Sequence, residues 1–435
     1  MLHAAAKPFV KLVDRYLPDP YIFVLLLTVV VFAAAVLVEQ QPVMTVLMQW
    51  GDGFWGLLSF SMQMLLVLVT GFMLASTPVV KRLLDRLARL ASSPGKAIVL
   101  VTLVSLSASW LNWGFGLVVG ALFAKALART VKVDYRLLVA SAYSGFVVWH
   151  GGLAGSIPLT IATSGHFTAQ QIGVIPTNET IFAGFNLLLL GILFIVMPIV
   201  NRLMLPTERD SVLISAEHLN DSAQPTTADP RPAAKLENSP VLAMLVGFAG
   251  LAYLTLYFIE QGGLNLNVVN FLFLFLAIVL HGTPRRLLHC LQQAMQGGAG
   301  IVIQFPFYSG IMAIMVGSGL AQSLSQWLIS FASAETLALY SFLSAGIVNI
   351  FVPSGGGQWA VQAPVILPAA LTLGADINKV AMAVAWGDAW TNLIQPFWAL
   401  PVLAIAGLKA KDIMGFCLVQ LIVTGLIISA VLLLT

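Results

Sequence analysis

Long apolar runs alternate with short loops along this chain, and positive charge is confined almost entirely to every second loop. A chain built this way has too little polar surface to face water on all sides. It threads a lipid bilayer and holds its basic loops on one side. Only 9% of the residues are charged and the mean hydropathy is +0.93, against about 25% charged in an ordinary soluble protein. The formal net charge of +3 sits on loops, so it reports topology and no nucleic-acid surface. Two cysteines, Cys290 and Cys417, offer neither a disulfide framework nor a metal cluster.

The first apolar run, 21–38, follows the turn Leu17-Pro18-Asp19-Pro20. It is longer than the ~7–15-residue core of a signal peptide, and no clear cleavage site follows Val38, so it reads as an uncleaved span. A crossing helix needs about 20 apolar residues. On that basis full spans are expected at about 20–38, 54–76, 136–163, 180–204, 240–259, 266–281, 297–318, 378–407 and 412–434. Residues 79–90 put Val79, Val80, Leu83, Leu84, Leu87 and Leu90 on one helix face and Lys81, Arg82, Asp85, Arg86 and Arg89 on the other, the pattern of an interfacial helix. Residues 320–332 read as a second surface helix.

Two further apolar stretches are split. Residues 96–128 break at Asn112-Trp113-Gly114-Phe115-Gly116, leaving arms of about 15 residues that are short for crossing, and so read as a re-entrant hairpin. Residues 335–370 break at Pro353-Ser354-Gly355-Gly356-Gly357 and read as a second hairpin. The third span is interrupted between His150 and Ser156 and again at Pro158, and the eighth around Gly387 to Pro396. The polar segment 205–238, with Pro206, Pro225, Pro230 and Pro232, is a solvent-exposed linker.

In this threading every Lys and Arg except Lys379 lies on one side. The positive-inside rule makes that side cytoplasmic, with the N-terminus inside and the C-terminus periplasmic. Counting either hairpin as a true crossing destroys the asymmetry. The order span, span, surface helix, hairpin, broken span, span then occurs twice, over 1–204 and 266–435, with the fifth span (239–265) inverting the second copy. An offset of 237 residues aligns Asn112 with Asn349, Gly120 with Gly357 and Trp149 with Trp386. The expected fold is an all-α polytopic membrane protein, an inverted repeat of two units with about nine full spans. That arrangement points to a secondary transporter.

Irregular backbone at membrane depth is tolerated only against protein or a water-filled cavity. The two hairpin tips and two broken spans are therefore expected to converge on one site, where helix N-termini can hold an anion and carbonyl ends a cation. No Lys or Arg falls in the middle of a span. A carboxylate would be held by backbone N–H groups and neutral side chains, among them Asn112, Asn349, Ser354, Gln358 and Asn392, which suits a monovalent anion. Trp113, Phe115, Trp149, Trp359, Trp386 and Trp390 surround the breaks and can meet a short apolar tail. The candidate substrate site also takes in Gly114, Gly116, His150, Gly151, Pro353, Gly355, Gly356 and Gly357. Asp388 is the single acid deep in a span. A charged Asp there costs at least about 2.5–3.5 kcal/mol, so it needs a proton, a cation or a partner, and it is the candidate coupling residue for H⁺ or Na⁺. His150 lies in the matching break and is a candidate proton carrier or substrate contact. There is no HExxH and no GxSxG, and Ser354-Gly355-Gly356-Gly357 lacks the GK[ST] of a phosphate loop. No enzyme and no cofactor beyond H⁺ or Na⁺ as a coupling ion is expected, and the residues leave a bound metal open.

Several segments together resemble the short-chain fatty acid transporter family of the AtoE type over essentially the whole chain. They are Leu17-Pro18-Asp19-Pro20, Trp50-Gly51-Asp52-Gly53-Phe54-Trp55, Asn112 to Gly120, Gln304-Phe305-Pro306-Phe307-Tyr308, Val352 to Gly357, and Gln395-Pro396-Phe397-Trp398-Ala399-Leu400-Pro401. That family is similar to the wider ion-transporter superfamily of citrate and dicarboxylate carriers, in which paired hairpins and broken helices form the transport domain of a dimeric elevator. The resemblance implies a homodimer in the bacterial inner membrane that takes up acetoacetate, butyrate or a similar monocarboxylate. The Ser-Asn-Thr tips of the sodium-coupled dicarboxylate carriers are absent here, so sodium coupling does not carry over. Relatives of this type are expected to allow Glu where Asp388 stands and Gly where His150 stands. Spans 1, 4, 6 and 9 are the expected scaffold, with the hairpins and spans 2, 3, 7 and 8 moving against it.

Overall fold

The computed structural model describes residues 20–435 apart from 208, 215–230, 261, 297, 351 and 353. Pro353 and most of the polar linker lie outside the described residues. Regular structure among the described residues is entirely helical. The helices are α1 (Pro20–Leu37), α2 (Val43–Gly53), α3 (Leu58–Ala75), α4 (Pro78–Ala88), α5 (Pro94–Leu111), α6 (Trp113–Thr130), α7 (Tyr135–Ser144), α8 (Ser156–Ile161), α9 (Gly184–Leu203), α10 (Pro240–Glu260), α11 (Leu266–His281), α12 (Pro284–Gln296), α13 (Ala299–Gly317), α14 (Leu320–Ile329), α15 (Leu337–Val348), α16 (Gly355–Leu373), α17 (Ile377–Asn392), α18 (Pro396–Ala406) and α19 (Ala410–Leu434). A tighter 3-10 stretch, Gly145–Gly151, continues α7.

Local chemistry sets most helix starts. Thr77, Ser93, Asn112, Asp134, Asn265, Ser354 and Asp376 each cap a helix by accepting a first-turn N–H, which satisfies donors the helix itself cannot. Proline opens α4, α5 and α18, where its missing N–H costs nothing. The outward faces are apolar: Leu245, Val246, Phe248 and Leu256 of α10 are exposed, as they must be when the surrounding solvent is lipid.

The structure departs from the sequence reading in four places. Two short helices, α2 and α12, stand where loops are expected; each falls between the first two spans of its half. The arms of the first hairpin have 18 residues each and are joined through one extended residue, Asn112. Gly387 does not interrupt α17, which runs on to Asn392; the break is confined to 393–395. A Cβ on Gly387 would strike the Phe342 carbonyl and the Ala345 side chain of α15, so this glycine serves helix contact instead of chain reversal. Finally, helices group differently from the expected scaffold. α1 packs on α13, α13 on α2 and α3, α3 on α11, and α11 on α10, with α3 also packed on α6 and α13 on α16, whereas α9 and α19 pack on each other and on α5, α7, α15 and α17. Spans 4 and 9 therefore belong with the hairpins and broken helices. Asn201 of α9 joins that body by donating to Thr102 Oγ1 (3.0 Å) and Ser144 Oγ (2.9 Å) and accepting from Gln420 of α19 (2.8 Å).

Contacts at the helix ends sort into two rims. On one, Asn378 donates to Glu179, Gln41 to the Ser318 carbonyl and Leu266 N–H to Thr163. On the other, the Asp134 carboxylate accepts from Val212 N–H and Arg136, Tyr135 donates to the Ala406 carbonyl, and His281 meets the Met73 carbonyl. Among the described residues each of these contacts joins ends that the threading places on the same side.

Candidate functional site

Both hairpin tips and both helix breaks meet inside the molecule. The Leu153 N–H, in the first break, donates to the Trp110 carbonyl at the tip of the first hairpin (2.7 Å). His150, in the same break, reaches the second half: its Nδ1 lies 2.7 Å from the Ala385 carbonyl and 3.5 Å from Asp388 Oδ2. Asn349, at the end of α15, holds its amide nitrogen within hydrogen-bond distance of three acceptors, the Asp388 carbonyl (2.9 Å), Thr391 Oγ1 (2.8 Å) and Asn392 Oδ1 (2.7 Å), among which its two N–H groups are shared, while its own carbonyl accepts from Gln395. Tyr143 of α7 closes the group by donating to the Asn392 carbonyl (2.5 Å). Asn112, His150, Asn349, Gln358, Asp388 and Asn392 are all buried.

Beside this polar cluster lies a cavity of about 310 Å³. Its walls come from α3 (Met64, Leu68), α6 (Trp113, Leu117), the first break (Trp149, Ser156), α12 and α13 (Gln296, Gly300, Ile301, Gln304, Phe305), the start of α16 (Ser354, Gly355) and α18 (Trp398, Leu400, Pro401). Trp113 meets Trp398 edge-on (5.3 Å between ring centroids) and Trp149 at 5.8 Å, so three indoles form one aromatic wall. Among the described residues no Lys, Arg, Asp or Glu lines it. Its polar residues are Ser156, Gln296, Gln304 and Ser354. Ser354 caps α16, taking the Gly357 N–H, so the first-turn N–H groups of a 19-residue helix open beside the cavity.

The sequence-derived residues divide into wall, cluster and packing. Trp113, Ser354 and Gly355 line the cavity. His150, Asn349, Asn392 and Asp388 form the cluster behind it. Asn112 is tied down: its Oδ1 caps α6 at Phe115 N–H (2.9 Å) and its Nδ2 faces the Val67 carbonyl of α3. Gly114 sits against the Leu68 backbone, Gly116 against Ser109, Gly151 against Trp386, Gly356 against Phe60 and Gly357 against Tyr308. Gln358 is turned to the Ala345 carbonyl (2.9 Å) and Gln362 (2.8 Å). Of the expected aromatic contacts, Trp386 donates to Asn186 (2.9 Å) and Trp390 to the Leu421 carbonyl (2.7 Å), both away from the cavity. Met64, Ser156, Gln296, Gln304 and Trp398 are wall residues that sequence reasoning did not place in the site. Gln304 carried a usable signal, a glutamine in mid-span, that the sequence reading did not take up.

A model of the family described as short chain fatty acid transporter matches residues 1–435. The chain is 43% identical over 432 residues to a protein of Escherichia coli (strain K12) provisionally named as a short-chain fatty acid transporter, covering 98% of each chain. It is 42% identical over 440 residues to a protein of the same provisional name from Haemophilus influenzae (strain ATCC 51907 / DSM 11121 / KW20 / Rd), again over 98% of each. Among solved structures it is similar in fold to the YdaH transporter of Alcanivorax borkumensis, described as having an unusual topology (TM-score 0.59, 15% identity, 95% of this chain and 98% of that one). It is also similar in fold to MtrF of Neisseria gonorrhoeae, described within a class of antimetabolite efflux pumps (TM-score 0.50, 16% identity, 98% and 96%).

Proposed function

The chain belongs to the short-chain fatty acid transporter family and is a multi-pass membrane transporter, not an enzyme, and from that premise we propose that it imports short-chain monocarboxylates such as butyrate or acetoacetate across the bacterial inner membrane. The observation that carries this reading is the cavity: an aromatic and aliphatic pocket with no fixed cation in its wall. A di- or tricarboxylate would bring two or more charges into a site with nothing to neutralise them. A single carboxylate suits the helix N-terminal N–H groups and the Ser354 and Ser156 hydroxyls, and a tail of a few carbons suits the indoles of Trp113, Trp149 and Trp398.

Transport is secondary and cation-coupled, with Asp388 as the coupling residue and H⁺ or Na⁺ as the ion. The two halves, 1–204 and 266–435, are inverted copies joined by the linker 205–238 and the connecting span in 239–265. The body formed by the hairpins, the broken helices, α9 and α19 slides against the remaining helices of a homodimer, with the basic rim cytoplasmic. The packing grouping and the two rims support this reading.

The test is uptake of labelled butyrate and labelled succinate into proteoliposomes, corrected against protein-free liposomes because protonated butyrate crosses lipid unaided. Saturable butyrate uptake that unlabelled acetoacetate competes with, and gradient-free butyrate counterflow, are the expected results. Saturable sodium-dependent succinate uptake without butyrate uptake would make it a dicarboxylate carrier. Anion conductance with no saturation and no counterflow would make it a channel.

A further inference from the structure

Asp388 and His150 are each 0% exposed, and they come from opposite halves of the chain. A carbonyl oxygen can only accept, so the 2.7 Å contact of His150 Nδ1 with the Ala385 carbonyl puts the hydrogen of a neutral imidazole on Nδ1 and leaves Nε2 bare. That Nε2 has no hydrogen-bond partner, and neither has Asp388 Oδ1. Among the described residues the one side-chain donor on the carboxylate is Asn392, at 3.5 Å; His150 Nδ1, also 3.5 Å from Oδ2, has its hydrogen directed to the Ala385 carbonyl.

From the elements packed around Asp388, the titratable and charged groups are His150 in the 3-10 stretch, Tyr308 on α13, Tyr135, Arg136 and Tyr143 on α7, Tyr340 on α15, and Lys411, Asp412 and Cys417 on α19; α8 and α16 carry none. The two cations stand in the first turns of their helices, Arg136 paired with Asp134 and Lys411 next to Asp412, so neither supplies positive charge beside Asp388. On α17 itself Lys379 stands in the first turn, more than two turns from Asp388. An ionised Asp388 beside a neutral His150 is therefore a net negative charge with two acceptors unfed. One added proton, on either residue, cancels that charge and supplies a missing donor.

The pair also lies directly behind the cavity wall. A Cβ on Gly355 would meet His150 Nε2, and Gly355 lines the cavity together with Ser354 and Trp149. A carboxylate bound at the start of α16 and an ionised Asp388 repel each other across a gap that water does not screen. Protonating the pair removes that repulsion, and a carboxylate in the cavity draws the proton in.

We propose that the coupling ion is a proton, held in common by Asp388 and His150 and taken up with each carboxylate, so that anion and proton cross together and no net charge moves. This rests on the monocarboxylate reading above and adds to it the ion, its site and its stoichiometry.

The experiment uses the purified full-length protein in detergent, with butyrate binding measured by calorimetry and proton uptake by a pH dye in weak buffer. About one proton is expected to be taken up per butyrate bound, with affinity falling by up to about tenfold per pH unit on the alkaline side and unchanged when choline replaces sodium. Asp388→Asn is expected to bind butyrate without proton uptake, and Asp388→Glu to restore it. Binding that tightens with sodium and takes up no proton overturns the proposal, as does an Asp388→Asn protein that takes up the same proton. Should Asp388→Asn not fold, the sodium-against-choline comparison on the unaltered protein decides alone. Succinate binding with no butyrate binding removes the monocarboxylate reading, and this proposal with it; sodium-coupled butyrate binding removes only the proton.

Discussion

Gly355 is one of the residues through which the second hairpin touches the first half of the chain, and its missing side chain is what lets His150 come so close. Gly355→Ala is expected to overpack that contact at about 1–3 kcal/mol and to lower butyrate uptake at least about tenfold while leaving membrane insertion intact. Adding His150→Gly opens the space again, so the double variant should regain folding stability lost by the alanine, read as thermal melting in detergent. Elsewhere in the cavity wall, Leu117→Ala removes volume and leaves the polar side chains in place. It is expected to shift preference towards longer acids, with hexanoate gaining about 10-fold or more on butyrate in competition uptake. At this scale the sequence was informative where a residue's type was unusual for its depth: Asp388, His150 and the glycine runs stand out in apolar segments. It was misleading for Asn112, whose short amide is consumed as a helix cap and a tie to α3. It was silent on Met64, Ser156 and Trp398, which are ordinary side chains on helix faces and become wall residues only through tertiary packing.

Helices were legible because their signals are local. The 266–281 run coincides with α11 and the 240–259 run lies within α10, since an apolar run bounded by polar residues needs no tertiary information to be recognised. The helix α12 was missed although its pattern resembles that of α4: Arg285 and Arg286 face outward while Cys290 and Ala294 are buried. The extent of α17 was misjudged for the opposite reason. Glycine inside a helix costs only about 1 kcal/mol, and the approach of α15 repays it at Gly387. Which helices move as a body depends on side chains far apart in sequence, such as Asn201 and Gln420, and no local pattern reveals it. That network gives an element-scale prediction. Asn201→Leu removes hydrogen bonds to α5, α7 and α19 at once; membrane hydrogen bonds average about 0.6 kcal/mol with a maximum near 1.7. A loss of about 1–3 kcal/mol is expected, seen as a lower melting temperature in detergent. Gln420→Leu should cost less, and the double variant less than the sum, because the two residues share one bond.

Across the whole molecule, the charge asymmetry and the rim contacts are independent routes to one topology. The first uses only where Lys and Arg fall in the sequence. The second uses only which helix ends touch: Glu179 with Asn378 on one rim, Asp134 with Val212 on the other. Their agreement means that a loop assigned to one side by charge should label from that side. With Cys290→Ser and Cys417→Ala as background, single cysteines at Gln40 and Thr372 are expected to react with an impermeant maleimide added from the periplasmic side. Cysteines at Arg89 and Arg209 should react only in inverted vesicles. All four positions are exposed, so a missing signal reports the compartment and not burial. Thr372 is the decisive position, because it lies at the base of the second hairpin, where a re-entrant turn and a crossing helix leave it on opposite sides. If Thr372 labelled together with Arg209, the second half would no longer run against the first, and the pairing of His150 with Asp388 across an inverted repeat would lose its basis.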